Sequence, residues 1–174
     1  MELPVVIHPN DLLRAKTEFV TEINQEILDL LDNMQETMSA QDGVGIAAPQ
    51  VGSSLRLAVV QVVPEDEAFY LINPVITKKE GSDIFVEGCL SIPHVFGTVE
   101  RADKIVVEFY DREGTHLAME AYGYFARAIQ HEVDHLDGIL FIDKMIDEIK
   151  EEDLESYYEQ YELEHGEVEE SEHD

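Results

Sequence analysis

Residues 124–138 read YFARAIQHEVDHLDG. Phe125, Ala128, Ile129, Val133 and Leu136 fall close to one stripe at helical spacing and Gly138 ends the run, so the segment predicts a helix with one face in a core. On that helix His131 and His135 stand one turn apart on the same side. Both imidazoles can there reach a single divalent metal, with Glu132 flanking them. The chain's one cysteine lies upstream in EGCLS, residues 87–91. A Cys89 thiolate would complete three protein ligands and leave a tetrahedral metal one open position, the arrangement of a hydrolytic site.

An isolated HExxH on a polar helix is often accidental, whereas an apolar helix with a thiolate upstream favours metal binding. Cys89 alone would more often be a small buried hydrophobe. His8, His94, His116, His165 and His173 have no paired spacing and are assigned to surface or loops. Asp134 and Asp137 are assigned to solvent or to capping.

Around this helix the pattern predicts an α+β protein, mostly antiparallel β-sheets packed around a central HExxH-bearing helix. An amphipathic N-terminal helix is expected over residues 21–39, where Ile23, Ile27, Leu30, Leu31, Met34 and Met38 form a core stripe and Thr21 is the N-cap. Strands are expected over residues 57–63, 69–77, 83–90, 99–110 and 115–121, with DREG, residues 111–114, as the hairpin turn between the last two. Phe96 and Gly97 are placed in a turn. Ile146, Ile149, Leu154, Tyr157, Tyr158 and Tyr161 nearly continue a stripe, so a C-terminal helix is expected to dock through them as packing residues. Residues 1–163 then form a single catalytic domain, and residues 164–174 an acidic tail without fixed structure.

The formal net charge of -28 over 174 residues carries no basic patch and excludes general nucleic-acid binding. No apolar run approaches bilayer-spanning length, and a soluble cytoplasmic protein is expected. A lone cysteine suits a reducing compartment.

A metal at Cys89, His131 and His135 would lower the pKa of a bound water from about 15.7 to about 7. Glu132 can take that water's proton and deliver it to a leaving nitrogen. The backbone N–H of Leu90 is one donor for a developing oxyanion, and Gln50 or Gln130 supplies a second. QDGVGIAAPQVG, residues 41–52, lacks the Lys and Ser/Thr of a phosphate loop. Its glycines permit close approach of another backbone, which makes it a substrate-binding edge.

GVGIAAPQ at residues 43–50, EGCLS at 87–91 and QHEVDH at 130–135 together resemble the three signature motifs of peptide deformylases, and the similarity extends over most of residues 1–145. That resemblance implies hydrolysis of the N-formyl group from the formylmethionine of nascent chains, with release of formate. It implies Cys89, His131 and His135 as metal ligands and Glu132 as general acid/base. Gln50 and the Leu90 N–H would hold the formyl oxygen. Val44, Gly45 and Ile46 would pair with the peptide as an added strand, with Glu87 as a fourth substrate-binding residue and Arg101 supporting Glu87. The metal implied is Fe(2+), with Zn(2+), Ni(2+) or Co(2+) as alternatives. Ribosome docking through a basic C-terminal helix, known for some bacterial members, does not suit a chain that ends in acid.

Two other readings compete. A zincin-type peptidase shares HExxH but takes its third ligand downstream and cleaves unformylated peptides. A deformylase-like binding module without turnover would use the acidic tail as its working part.

Overall fold

The computed structural model describes residues 1–165. In chain order its elements are α1 (Gln25–Ala40), β1 (Gly45–Ala47), β2 (Leu57–Val60), β3 (Phe69–Glu80), β4 (Asp83–Cys89), β5 (Ile92–Arg101), β6 (Lys104–Tyr110), β7 (His116–Tyr122), α2 (Gly123–Leu136), α3 (Phe141–Lys144), β8 (Glu148–Ile149) and α4 (Leu154–His165). Single-turn 3-10 helices lie at Asp11–Leu13, Ala48–Val51 and Glu151–Asp153.

The strands form two sheets, one of five strands in the order β1-β2-β3-β6-β7 and one of three in the order β4-β5-β8, with every pairing antiparallel. The five-stranded sheet is covered on both faces. Ile27, Leu31, Met34 and Met38 of α1 pack on Ile46, Leu57, Val59 and Ile72. The alternate residues Ala47, Ala58, Val60 and Leu71 meet Ala126, Ile129, Val133 and Leu136 of α2. Period-two alternation sends neighbours on one strand to opposite helices, which is why β2 is apolar throughout. The opposite side of α2 meets the small sheet: Arg127 donates to the carbonyls of Val99 on β5 and Asp83 on β4, at 2.9 and 2.8 Å. The HEVDH helix is therefore held between the sheets, and α2 ends as expected before Gly138. At φ +77 that residue brings the chain so close to Arg14 that a Cβ would overlap its carbonyl.

Several boundaries differ from expectation. Helix α1 starts at Gln25, because Asn24 Oδ1 accepts from Ile27 N at 3.0 Å and caps the helix; Thr21 stands outside it. The strand expected over 99–110 is two strands in different sheets. At the break the Gln130 side chain bonds both Ala102 N and Ala102 O, and Gly123 N bonds Asp103 O, replacing ladder partners. Phe96 and Gly97 belong to β5, not to a turn, and pair with Ile149 and Glu148. That pairing takes Ile149 out of the expected helical stripe, so α4 begins only at Leu154. Strand β1 falls in the Gly-rich segment where no strand is expected; the other strands differ from expectation only at their ends, and DREG does turn the β6–β7 hairpin: Asp111 Oδ1 accepts from Glu113 N and Thr115 N at 2.9 Å each.

Helix α4 has no fully buried residue and docks by aromatic contact, with Tyr157, Tyr158 and Tyr161 ringed about Phe85 of β4 at centroid distances of 5.9, 5.8 and 4.8 Å. It runs to His165, past the tail boundary expected at residue 164. The rest of that tail, with His173, lies outside the described residues. Among the described residues no helix is long and apolar enough to cross a membrane.

Candidate active site

On α2 the apolar stripe of Ile129, Val133 and Leu136 faces the large sheet, and a second, polar stripe runs through Arg127, His131, Asp134 and His135. Spacings of four and three residues stack these side chains toward β4. Strand β4 brings Glu87 and Cys89 to meet them, with a register shift between the two that turns the end of the strand.

Cys89, His131 and His135 converge, their ligand atoms lying within 4.8 Å of one another. Cys89 Sγ is 3.2 Å from His135 Nε2. His131 is oriented by Glu87, whose Oε1 accepts from His131 Nδ1 at 2.8 Å, leaving Nε2 free to ligate. Glu87 accepts three more hydrogen bonds: from Arg101 Nη2 at 2.9 Å on Oε1, and from Arg101 Nε at 2.9 Å and Arg127 Nη1 at 2.8 Å on Oε2. Burial by itself would raise the Glu87 carboxyl, but the hydrogen bonds from Arg101 and His131 outweigh it and hold the group well below the carboxylate range. With both oxygens occupied, Glu87 is a brace for His131 rather than a contact offered to a substrate. The expected Glu87–Arg101 pair is present as a bidentate fork, and Arg101 Nη1 also donates to Asp134 Oδ2 at 2.5 Å. Asp134 is thus ion-paired to Arg101 and Lys144 rather than turned to solvent.

Glu132 is 4% exposed, and its Oε1 has no hydrogen-bond partner among the described residues. Burial pushes its carboxyl up to about 7. It packs against Gly45 of β1, where a Cβ would overlap Glu132 Oε2, so the glycine leaves room for this carboxyl in its observed position. Of the two glutamines, Gln50 reaches the site. Its Oε1 accepts from Ala47 N at 2.9 Å, and its Nε2 lies 3.1 Å from Ser91 Oγ and 3.6 Å from Cys89 Sγ. Gln130 is tied to Ala102 and Ala126 instead.

These groups open on a cleft of about 490 Å³. Val44 and Gly45 form one side, Cys89 and Leu90 the floor, and Tyr124, Ala128, His131 and Glu132 the wall of α2. The Ile46 side chain packs with α1 and is fully buried, and Ile46 does not line the cleft. Phe96, His94 and Tyr158 also line the cleft. Arg127, Ser91 and Tyr158 were not among the residues expected here. An arginine one turn before His131, on a helix otherwise bound for a core, is the signal that points to the first.

The donor set fits a divalent ion: one soft thiolate and two imidazoles, one with its tautomer fixed from outside, beside a buried carboxylate oxygen with no partner. Such a set at an open cleft defines a metal-dependent hydrolase.

Comparison with known proteins narrows the class. Residues 2–151 match the family model described as polypeptide deformylase. A peptide deformylase of Caldicellulosiruptor bescii is 47% identical over 148 residues, covering 85% of this chain and 88% of the relative. The crystal structure of a peptide deformylase from Legionella pneumophila aligns with a TM-score of 0.82 at 33% identity, over 97% of this chain and 100% of that one. A Met-Ala-Ser-bound crystal structure of a peptide deformylase from Acinetobacter baumannii gives 0.80 at 36% identity, over 83% and 99%. The chain belongs to the polypeptide deformylase family, metallohydrolases that remove the N-formyl group from formylmethionine.

Proposed function

We propose that the chain deformylates the formylmethionine of newly made polypeptides in the cytoplasm, using one divalent ion held by Cys89, His131 and His135. The observation that carries this reading is the convergence of those three ligand atoms beside the unpartnered Glu132 Oε1.

Fe(2+) is the ion proposed, with Zn(2+), Ni(2+) or Co(2+) able to occupy the same donors. When bound, the ion supplies Lewis-acid charge and acidifies a water at neutral pH. Glu132 takes the proton of the attacking water at Oε1 and returns it to the departing amino nitrogen. Water adds to the formyl carbon, the C–N bond breaks, and formate and the free amine leave. The Gln50 Nε2 amide and the Leu90 backbone N–H hold the formyl oxygen as it gains charge. Gln50 is itself oriented through its bond to Ala47 N, which supports that role.

The peptide adds as a strand along Val44, Gly45 and Ile46. Strand β1 stands at an edge of its sheet, paired to β2 on one side only, and an edge can accept one more strand. The Met-Ala-Ser held by the Acinetobacter baumannii relative is a peptide of the class this edge would take. Residues 1–163 act as the catalytic unit, with Glu87, Arg101 and Arg127 as structural support.

The test is formate release from formyl-Met-Ala-Ser by protein loaded anaerobically with Fe(2+), with an unformylated peptide alongside. Formate from the first and no cleavage of the second is expected. Cleavage of the unformylated peptide would favour a zincin-type peptidase, and metal binding without formate would favour a binding module.

A further inference from the structure

The family match ends at residue 151, yet Tyr158 of α4, beyond that limit, lines the catalytic cleft. Tyrosines 157 and 161 pack α4 onto Phe85, and Tyr161 Oη donates to Asp83 Oδ2 at 2.7 Å. Those contacts fix the helix by its neighbours on either side. Tyr158, 44% exposed, is left with one flank on Phe85 and the other turned to the cleft. Phe85 connects this helix to the site, as it also meets Tyr124 edge-on at 6.2 Å and lies under Arg127.

The position of Tyr158 along the cleft follows from α2. Ala128 precedes His131 by about one turn and Tyr124 by about two, so Tyr124 lies roughly 10 Å along the axis from the metal ligand. That is the end of the cleft reached by an extended side chain rather than by the reacting carbonyl. Val86, Tyr124 and Ala128 give it apolar lining, beside Arg127, whose guanidinium is tied up by Glu87 and two backbone carbonyls. The segment leading to α4 is fastened beside the cleft, because Ile149 pairs with Phe96, which also lines it.

We propose that Tyr158 is a specificity-determining residue, whose ring closes the apolar end of the cleft and limits the length of the first side chain of the formyl peptide. This rests on the deformylase reading and adds to it a wall supplied by the C-terminal helix. The ring carries the effect and the hydroxyl does not, since Tyr158 Oη has no hydrogen-bond partner among the described residues.

The experiment uses the full chain, metal-loaded, with formyl-Met-Ala-Ser and formyl-Phe-Ala-Ser as paired substrates and kcat and KM measured for each. Tyr158→Ala should raise KM for the methionyl peptide with little change in kcat. It should also shift the ratio of kcat/KM values toward the phenylalanyl peptide by about tenfold. Tyr158→Phe should match the wild type, and Tyr158→Trp should shift the ratio the opposite way. Circular dichroism of each variant checks that the fold is intact. An unchanged ratio in both Tyr158→Ala and Tyr158→Trp, with formate still produced, overturns this proposal and leaves the deformylase reading standing. No formate from either peptide with the wild type overturns both.

Discussion

Glu87 Oε1 accepts the Nδ1–H of His131 at 2.8 Å, and this single bond sets which imidazole nitrogen faces Cys89 and His135. The same carboxylate is gripped by Arg101 and Arg127, so the ligand's orientation is anchored to β5 and to the preceding turn of α2. Replacing Glu87 by Gln would leave the buried Arg127 guanidinium without its counter-ion, while Arg101 keeps Asp134, at a cost of about 3–5 kcal/mol. Metal affinity should fall about 10- to 100-fold with it. Urea unfolding and a Co(2+) titration of the variant check the two effects separately.

Gly45→Ala tests the close approach of α2 to β1. A Cβ there overlaps Glu132 Oε2 and displaces that carboxyl without touching a metal ligand. Formate release should drop by at least about tenfold while metal content stays at the wild-type level. Loss of metal in this variant would show that the strand supports the ligands rather than Glu132.

Gln50→Ala removes the side-chain donor proposed to hold the formyl oxygen. The expected loss is about 10²- to 10³-fold in kcat. Because Gln50 also bonds Ala47 N and Ser91 Oγ, the serine-preserving Gln50→Glu variant is the companion: it fills the space but offers an acceptor where a donor is needed. Both should be slow, and a fast Gln50→Glu enzyme would remove Gln50 from that role.

The docking of α4 should weaken in alkali. Burial, and then the hydrogen bond to Asp83, raise the Tyr161 hydroxyl above its ordinary value. The folded state therefore holds this proton more tightly than the unfolded chain does. Stability from the contact is complete below about pH 10, the unfolded value, and is lost as pH rises toward the higher folded value. The melting temperature of the wild type should exceed that of Tyr161→Phe by a constant margin from pH 7 to about 9, and the margin should shrink above about 10. A margin that grows with pH would contradict this sign.

The parts of the site written in sequence are those with local spacing. His131, Glu132 and His135 share a helix whose period is readable, and EGCLS and GVGIAAPQ are contiguous segments. Arg127 was missed because its partners, Glu87, Asp83 and Val99, come from two strands that only tertiary pairing brings to α2. The break at Ala102 and Asp103 was illegible for a similar reason. Strands β5 and β6 are both apolar on one side, and the interruption is made by Gln130 and Gly123, distant in sequence. Asn24 and Thr21 are both good caps by residue type, and only the geometry of Ile27 N selects between them. The stripe from Ile146 misled because Ile149 has a strand partner that no helical periodicity reveals.

The most direct measurement is of Glu132→Gln, assayed at once for bound metal and for formate release from formyl-Met-Ala-Ser. Cys89, His131 and His135 are untouched by this change, so the variant should bind one equivalent of metal as the wild type does. Its turnover should fall by about 10²- to 10⁴-fold, the contribution of a positioned acid/base. A Glu132→Gln enzyme that keeps its metal and releases formate at the wild-type rate would contradict the assignment of proton transfer to Glu132.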